Sequence, residues 1–122
     1  MDLIEKELTY KIRAAVFEVS RCLGAGFLEK VYERALVIEL ENIGLRCNSQ
    51  LSVPVTYKSR IVGEYFADII VENKIILELK AQENIRPEHT AQLINYLKAT
   101  GMKIGLLINF THPKAEIKRF VL

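Results

Sequence analysis

Apolar side chains recur every three or four residues over the first third of the chain, which is the spacing of amphipathic helices. The first run consists of Leu8, Ile12, Val16, Val19 and Leu23. It predicts a helix over residues 3–23, which Gly24 and Gly26 end because glycine readily adopts the backbone conformations of a helix terminus. A second run over residues 28–40 predicts another helix, which stops at Gly44.

The middle third of the chain has the pattern of extended strands. Residues 45–58 predict a strand in which Pro54 marks a sheet edge or a bulge, because proline cannot donate a ladder hydrogen bond. Two further runs rich in Ile, Val, Tyr and Phe cover residues 61–71 and 75–81. They flank the polar residues 72–74 and therefore predict a β-hairpin.

The last third returns to one helix followed by strands. Pro87 suits a first helical turn and Gly101 a helix end, so these two residues bound a predicted third helix. Residues 103–110 predict a strand buried on both faces, and residues 116–122 predict a last strand. The whole order predicts an α/β fold, with a mixed central sheet flanked by helices.

Composition restricts the class of protein but indicates no activity. The chain has 122 residues, which predicts a single domain over residues 1–122. Its 17 Lys and Arg against 15 Asp and Glu give a net charge of +2, too small to argue for nucleic-acid binding. Cys22 and Cys47 match no zinc spacing, and no apolar run is long enough to span a bilayer. We therefore expect a cytoplasmic protein with reduced thiols and no membrane contact.

The candidate chemistry concentrates in the predicted hairpin, at Asp68, Glu78 and Lys80. Side chains alternate across a strand, so Glu78 and Lys80 share one face. A two-residue turn leaves Asp68 and Glu78 on opposite faces, because a shift of one residue reverses every side chain. A three-residue loop instead pairs Val71 with Ile75, and the two carboxylates then have Cβ atoms ~5 Å apart.

Two ionised carboxylates at that distance repel each other by ~3 kcal/mol at an effective dielectric constant of 20. A hard divalent cation, Mg²⁺ or Mn²⁺, would offset this repulsion and prefers such oxygen ligands. Lys80 would then stabilise charge that develops on a phosphate. The alternative is a solvated strand face with weak ion pairs, which is common. We expect Phe66, Ile70 and Ile76 to share the face and make it partly apolar, which favours the metal site.

Four helical positions carry further polar groups. Gln92 and Tyr96 lie four residues apart on the third predicted helix, where they either contact a phosphate, a base edge or the lysine, or form a polar surface. We expect His89 to cap that helix or lie exposed, since no second His or Cys has metal-ligand spacing. Glu29 opens the second helix, whose positive end favours a carboxylate.

These residues together resemble the GxxExxY protein family, which is grouped with the PD-(D/E)XK nuclease-like superfamily. The motifs that carry the resemblance are Gly26-x-x-Glu29-x-x-Tyr32, Ala67-Asp68, Glu78-Leu79-Lys80-Ala81, Gln92 with Tyr96, and residues 105–110. They follow in the family's order over residues 10–122. One departure is Ala67, which stands where the superfamily's name has proline.

The resemblance implies an αβββαβ restriction-endonuclease-like core with a metal-dependent nuclease site. The implied Mg²⁺ or Mn²⁺ ligands are Asp68, Glu78 and Glu29. Lys80 is the implied catalytic lysine, and Gln92 and Tyr96 are the implied supporting or substrate-binding residues.

The sequence therefore predicts a Mg²⁺-dependent nuclease that hydrolyses phosphodiester bonds, with DNA as the favoured nucleic acid. The alternative is a non-catalytic nucleic-acid-binding or protein-interaction module that retains the nuclease fold. Clustered acids favour the nuclease, because a binding module gains nothing from carboxylates that repel phosphate. A domain of this size offers little surface for a duplex, since single DNA-binding modules bury about 600–1,000 Å², so we also expect a homodimer or a protein partner.

Overall fold

The computed structural model describes residues 5–122. Its elements are α1 (Lys6–Leu23), α2 (Glu29–Asn42), β1 (Cys47–Tyr57), β2 (Arg60–Val71), β3 (Ile75–Lys80), α3 (Pro87–Thr100), β4 (Ile104–Asn109) and β5 (Glu116–Val121). Every predicted helix and strand is present in the predicted order. The predicted start of the first helix, at residues 3 and 4, lies outside the described residues. No helix within the described range is long and apolar enough to cross a bilayer.

The five strands form one mixed sheet in the order β1-β2-β3-β4-β5. The pairs β1–β2 and β2–β3 are antiparallel, the pair β3–β4 is parallel, and the pair β4–β5 is antiparallel. The parallel pair is joined through α3, as parallel neighbours require a crossover connection. The prediction of an α/β fold with a mixed central sheet and flanking helices is confirmed.

Pro54 lies in β1, which is an edge strand of the sheet. The β1–β2 register also shifts between Val55 and Thr56, directly after the proline. Both expectations for Pro54, an edge and a bulge, are therefore met. The physical reason is that a residue without an N–H is tolerated where no ladder donor is needed.

Two apolar clusters pack on opposite faces of the sheet and define a three-layer arrangement. The first joins α1 and α2 to the sheet through Ile12, Val16, Leu36, Leu40, Ile69, Leu77, Leu79, Leu106 and Ile108, among others. The second joins α3 to the other face through Val53, Ala67, Ile70, Ile76, Leu93, Tyr96, Leu97 and Leu107. Since Leu77 and Leu79 face α1 and α2, Glu78 between them projects toward α3.

The alternation of side chains along β2 breaks next to Asp68. Ala67 and Ile70 both belong to the α3-side cluster, although residues three apart on a regular strand lie on opposite faces. Ile69 belongs to the other cluster. Phe66 is 51% exposed, so the expectation that it shares a partly buried face with Ile70 is wrong. The break decides which side chains surround the Asp68 carboxylate.

Candidate metal and catalytic site

Asp68 and Glu78 meet where β2 and β3 diverge. The ladder between the strands runs from Val71↔Ile75 to Ile69↔Leu77, which is the register of the three-residue loop. Beyond it the carboxylates replace ladder hydrogen bonds: the Asp68 N–H donates to Glu78 Oε1 at 3.3 Å. The Leu79 N–H donates to Asp68 Oδ2 at 2.8 Å. The structure thus brings the two predicted carboxylates together.

Both acids bind protons more tightly than they would in water. Glu78 is only 4% exposed. Burial, with the Asp68 charge as a second cause, raises the pKa of Glu78 to about 8. Burial also raises the pKa of Asp68, although the Leu79 N–H opposes that shift. Two such neighbours are costly to ionise together, so a cation or a retained proton has to stabilise the pair.

Lys80 follows on the same face of β3 as Glu78. Its backbone is fixed, because the Phe110 N–H donates to the Lys80 carbonyl at 2.9 Å. Its charge favours the ionised forms of both Asp68 and Glu78. Within residues 5–122 its ammonium group has no hydrogen-bond or salt-bridge partner. The cation is therefore available to a ligand at this edge of the sheet.

Gln92 and Tyr96 face each other on α3, as their spacing predicts. Gln92 Nε2 lies 2.5 Å from the Tyr96 hydroxyl. Tyr96 is buried, and its ring lies against Tyr65 of β2 with 5.5 Å between centroids. Burial, followed by the Glu78 charge, raises the pKa of Tyr96. Gln92, Tyr96 and Tyr65 line one open groove.

Glu29 is the exposed first residue of α2. Burial and the Lys80 charge lower the pKa of His89, and the Glu29 charge opposes that shift. His89 itself accepts a hydrogen bond at Nδ1 from the Arg86 N–H at 3.1 Å, as expected of a capping residue. No group of three or more Asp, Glu, His or Cys side chains in the described chain is arranged around one metal position. The metal role of Glu29 therefore stays a prediction.

Glu33 is a carboxylate near the site that the sequence did not single out. It is only 6% exposed, although it lies one helical turn after the exposed Glu29. Its oxygens accept hydrogen bonds from Lys30 Nζ at 3.0 Å and from Ser49 Oγ at 3.0 Å. Residues four apart share a helix face, so the spacing alone could not tell which glutamate faces β1.

The sequence-based prediction also assigned no role to two amide side chains, Gln50 and Asn109. Gln50 Nε2 contacts both Glu33 Oε1, at 2.8 Å, and Asp68 Oδ1, at 3.3 Å. Asn109 Nδ2 donates to the Gln82 carbonyl at 2.8 Å and fixes the segment that follows Lys80. Asn109 is a polar residue at the end of a buried strand, and such a residue can be recognised from the sequence. Gln50 lies in an exposed strand, where a polar residue is ordinary.

The acid pair suits a hard divalent cation. Mg²⁺ prefers oxygen ligands, keeps several of its waters and is commonly held by one or two protein carboxylates. Asp68 and Glu78 supply two carboxylates held by backbone donors, and their raised pKa values mark a position where positive charge is favoured. The residues present therefore fit such an ion.

A family model described as the PD-(D/E)XK nuclease superfamily matches residues 6–120. The match covers nearly the whole described chain and includes Asp68, Glu78 and Lys80. Comparisons with curated proteins and with solved structures gave no match. The narrower resemblance to the GxxExxY family stays a prediction.

Proposed function

The chain belongs to the PD-(D/E)XK nuclease superfamily, and on that premise we propose that it is a Mg²⁺- or Mn²⁺-dependent nuclease that hydrolyses phosphodiester bonds in DNA. The observation that carries the proposal is the pairing of Asp68 and Glu78 at the point where β2 and β3 diverge, with Lys80 two residues after Glu78 on β3. Burying Glu78 beside a second acid is costly unless a cation or a retained proton stabilises the pair, and the proposed ion is that cation.

In the proposed mechanism Asp68 and Glu78 hold the divalent cation. When bound, that ion supplies Lewis acidity toward a phosphoryl oxygen and lowers the pKa of a coordinated water. Lys80 donates a hydrogen bond to the scissile phosphate or the attacking water, and stabilises the negative charge that develops in the transition state. Such electrostatic stabilisation is stronger in a partly buried site than in bulk water.

Three helical residues complete the proposed site. Glu29, at the first turn of α2, contributes a further carboxylate to the metal or to its water shell. Gln92 and Tyr96 of α3 support the substrate, with the Gln92 amide and the Tyr96 hydroxyl as the contacting groups. The groove that they line with Tyr65 is the proposed path of the nucleic-acid strand.

The test combines Mg²⁺ and Mn²⁺ titration by calorimetry with cleavage of labelled single- and double-stranded DNA. We expect wild type to bind the ions and cleave. Lys80→Ala should retain metal binding and lose at least about 100-fold in kcat, the size of effect seen when one group that stabilises transition-state charge is removed. The matched control is Lys103→Ala, an exposed lysine at the opposite end of the sheet, which should cleave like wild type.

Each outcome decides one part of the proposal. If wild type binds neither ion, the catalytic proposal is wrong. If it binds metal and DNA without cleaving, the protein is the non-catalytic binding module that retains the fold. If Lys80→Ala cleaves as fast as Lys103→Ala, the role assigned to Lys80 is wrong.

A further inference from the structure

Gln50 has a backbone conformation that is unusual for a strand residue. Its φ is +54°, in the left-handed region, although it lies inside β1. The β1–β2 register is the same on either side of it, with Ser49↔Ile69 before and Leu51↔Ala67 after. A non-glycine residue in this region is strained and persists only when the surrounding structure requires it. By the same register, the residue opposite Gln50 is Asp68.

The Gln50 side chain joins two acids that belong to different elements. Its Nε2 contacts Glu33 Oε1 of α2 at 2.8 Å and Asp68 Oδ1 of β2 at 3.3 Å. Both partners are acceptors, and the amide nitrogen carries two hydrogens, so one hydrogen serves each carboxylate. The left-handed backbone of Gln50 coincides with the break in alternation along β2 that exposes Asp68 to this amide.

Glu33 anchors this amide from the helix layer. It is buried, and its second oxygen is held by Lys30 and Ser49. Asp68 is consequently held at both oxygens, by Gln50 at Oδ1 and by the Leu79 N–H at Oδ2. Each of these oxygens keeps a lone pair for another partner. A carboxylate held in this way has little freedom to rotate away from Glu78.

We propose that Gln50 is a positioning residue, which links buried Glu33 to Asp68 and fixes the Asp68 carboxylate for metal binding. This inference rests on the proposed nuclease function. Groups that orient a metal ligand through a hydrogen bond typically contribute 10–100-fold to metal affinity or activity, about the effect expected here. In this strained conformation the Gln50 amide lies between the two acids and contacts both of them.

The test uses Gln50→Gly, which accommodates a positive φ and removes the whole side chain, and Gln50→Met, which keeps about the same size without the hydrogen-bond donor. The control is Ser52→Gly, an exposed site two residues further along the same strand. We expect both Gln50 variants to bind Mg²⁺ about 10–100-fold more weakly by calorimetry. We also expect a lower kcat for both at saturating Mg²⁺, with Ser52→Gly unchanged.

A second measurement does not depend on activity. In metal-free urea unfolding, the midpoint shifts of Gln50→Gly and Asp68→Asn should be non-additive in the double variant, because the two groups interact. If wild type binds Mg²⁺ and Gln50→Gly binds it equally well, the inference is wrong while the proposed function stands. If wild type binds no metal, the proposed function fails, and additive midpoint shifts would then reject the Gln50–Asp68 link as well.

Discussion

Glu78 is a titratable residue on a strand whose other side chains are mostly apolar, and its charge state depends on the fold. Burial raises its pKa from 4.5 to about 8, with the Asp68 charge as the second cause. The native state therefore binds a proton at Glu78 over a pH range in which the unfolded state has released it. Folding and proton binding are thus linked at this one residue.

The first prediction concerns pH. Because the raised pKa of Glu78 means that the metal-free native state binds more protons between about pH 4.5 and pH 8, its stability should fall as the pH rises through this range. The urea midpoint measured from pH 5 to pH 8.5 in the presence of a chelator checks this. Glu78→Gln cannot titrate at this position and should flatten the decline.

Asp68 contributes in the same direction, because its pKa is also raised. His89 contributes in the opposite direction, because its pKa is lowered and its native form therefore resists protonation below about pH 6.5. The difference between wild type and Glu78→Gln isolates the glutamate. Parallel pH curves for the two proteins would contradict the assignment of the raised pKa to Glu78.

At the scale of elements, the packing of α3 against β4 depends on one glycine. A Cβ atom built on Gly105 would lie 2.7 Å from Leu93 Cδ1 and 3.0 Å from Leu93 Cγ. Leu93 is completely buried in the α3-side cluster, so its side chain has no free space into which to move. The glycine lets the helix approach the sheet that carries Glu78 and Lys80.

We therefore predict that Gly105→Ala lowers the free energy of unfolding by about 1–3 kcal/mol, the usual cost of overpacking a core. The matched control is Gly63→Ala in β2, where a Cβ atom would meet nothing within 4 Å. Chemical denaturation of both variants makes the comparison. Equal stability of the two variants would show that α3 can move away from β4 without cost.

The connection between α1 and α2 is a second feature at this scale. The Tyr32 hydroxyl donates to the Gly24 carbonyl at 2.6 Å and accepts from the Phe27 N–H at 3.2 Å. Its ring stacks on Phe110 with 4.5 Å between centroids. Tyr32 is thus a packing residue that also closes the glycine-containing loop before Glu29. The glycines set the start of α2, and this tyrosine fixes it.

At the scale of the whole molecule, exposed apolar side chains are relevant to the oligomeric state. The β1–β2 hairpin carries exposed apolar residues at its far end, including Tyr57, Ile61 and Val62. We propose a homodimer, because a single small domain offers limited surface to a duplex. Sedimentation equilibrium should give twice the mass of one chain. If the measured mass is that of a single chain at all concentrations up to about 100 μM, a dimer with a dissociation constant below that concentration is excluded.

Local sequence pattern determined the order of elements in this protein, because helical and strand periodicities depend on near neighbours. It left the meeting of Asp68 with Glu78 open between two turn lengths, and the structure has the three-residue loop that pairs Val71 with Ile75. Pro54 marked its edge and its bulge without help from the rest of the fold.

Only the tertiary structure decided which glutamate of α2 lies near Asp68 and which groups hold the Asp68 carboxylate in place. Glu29 and Glu33 are equivalent by spacing, and only the packing of α2 against β1 buries Glu33 beside Gln50. No local sequence pattern indicates the left-handed backbone conformation of Gln50. Its cost is offset by contacts with residues 17 and 18 positions away in the sequence. Contacts between distant segments, which no local period encodes, therefore set the fine geometry of the site.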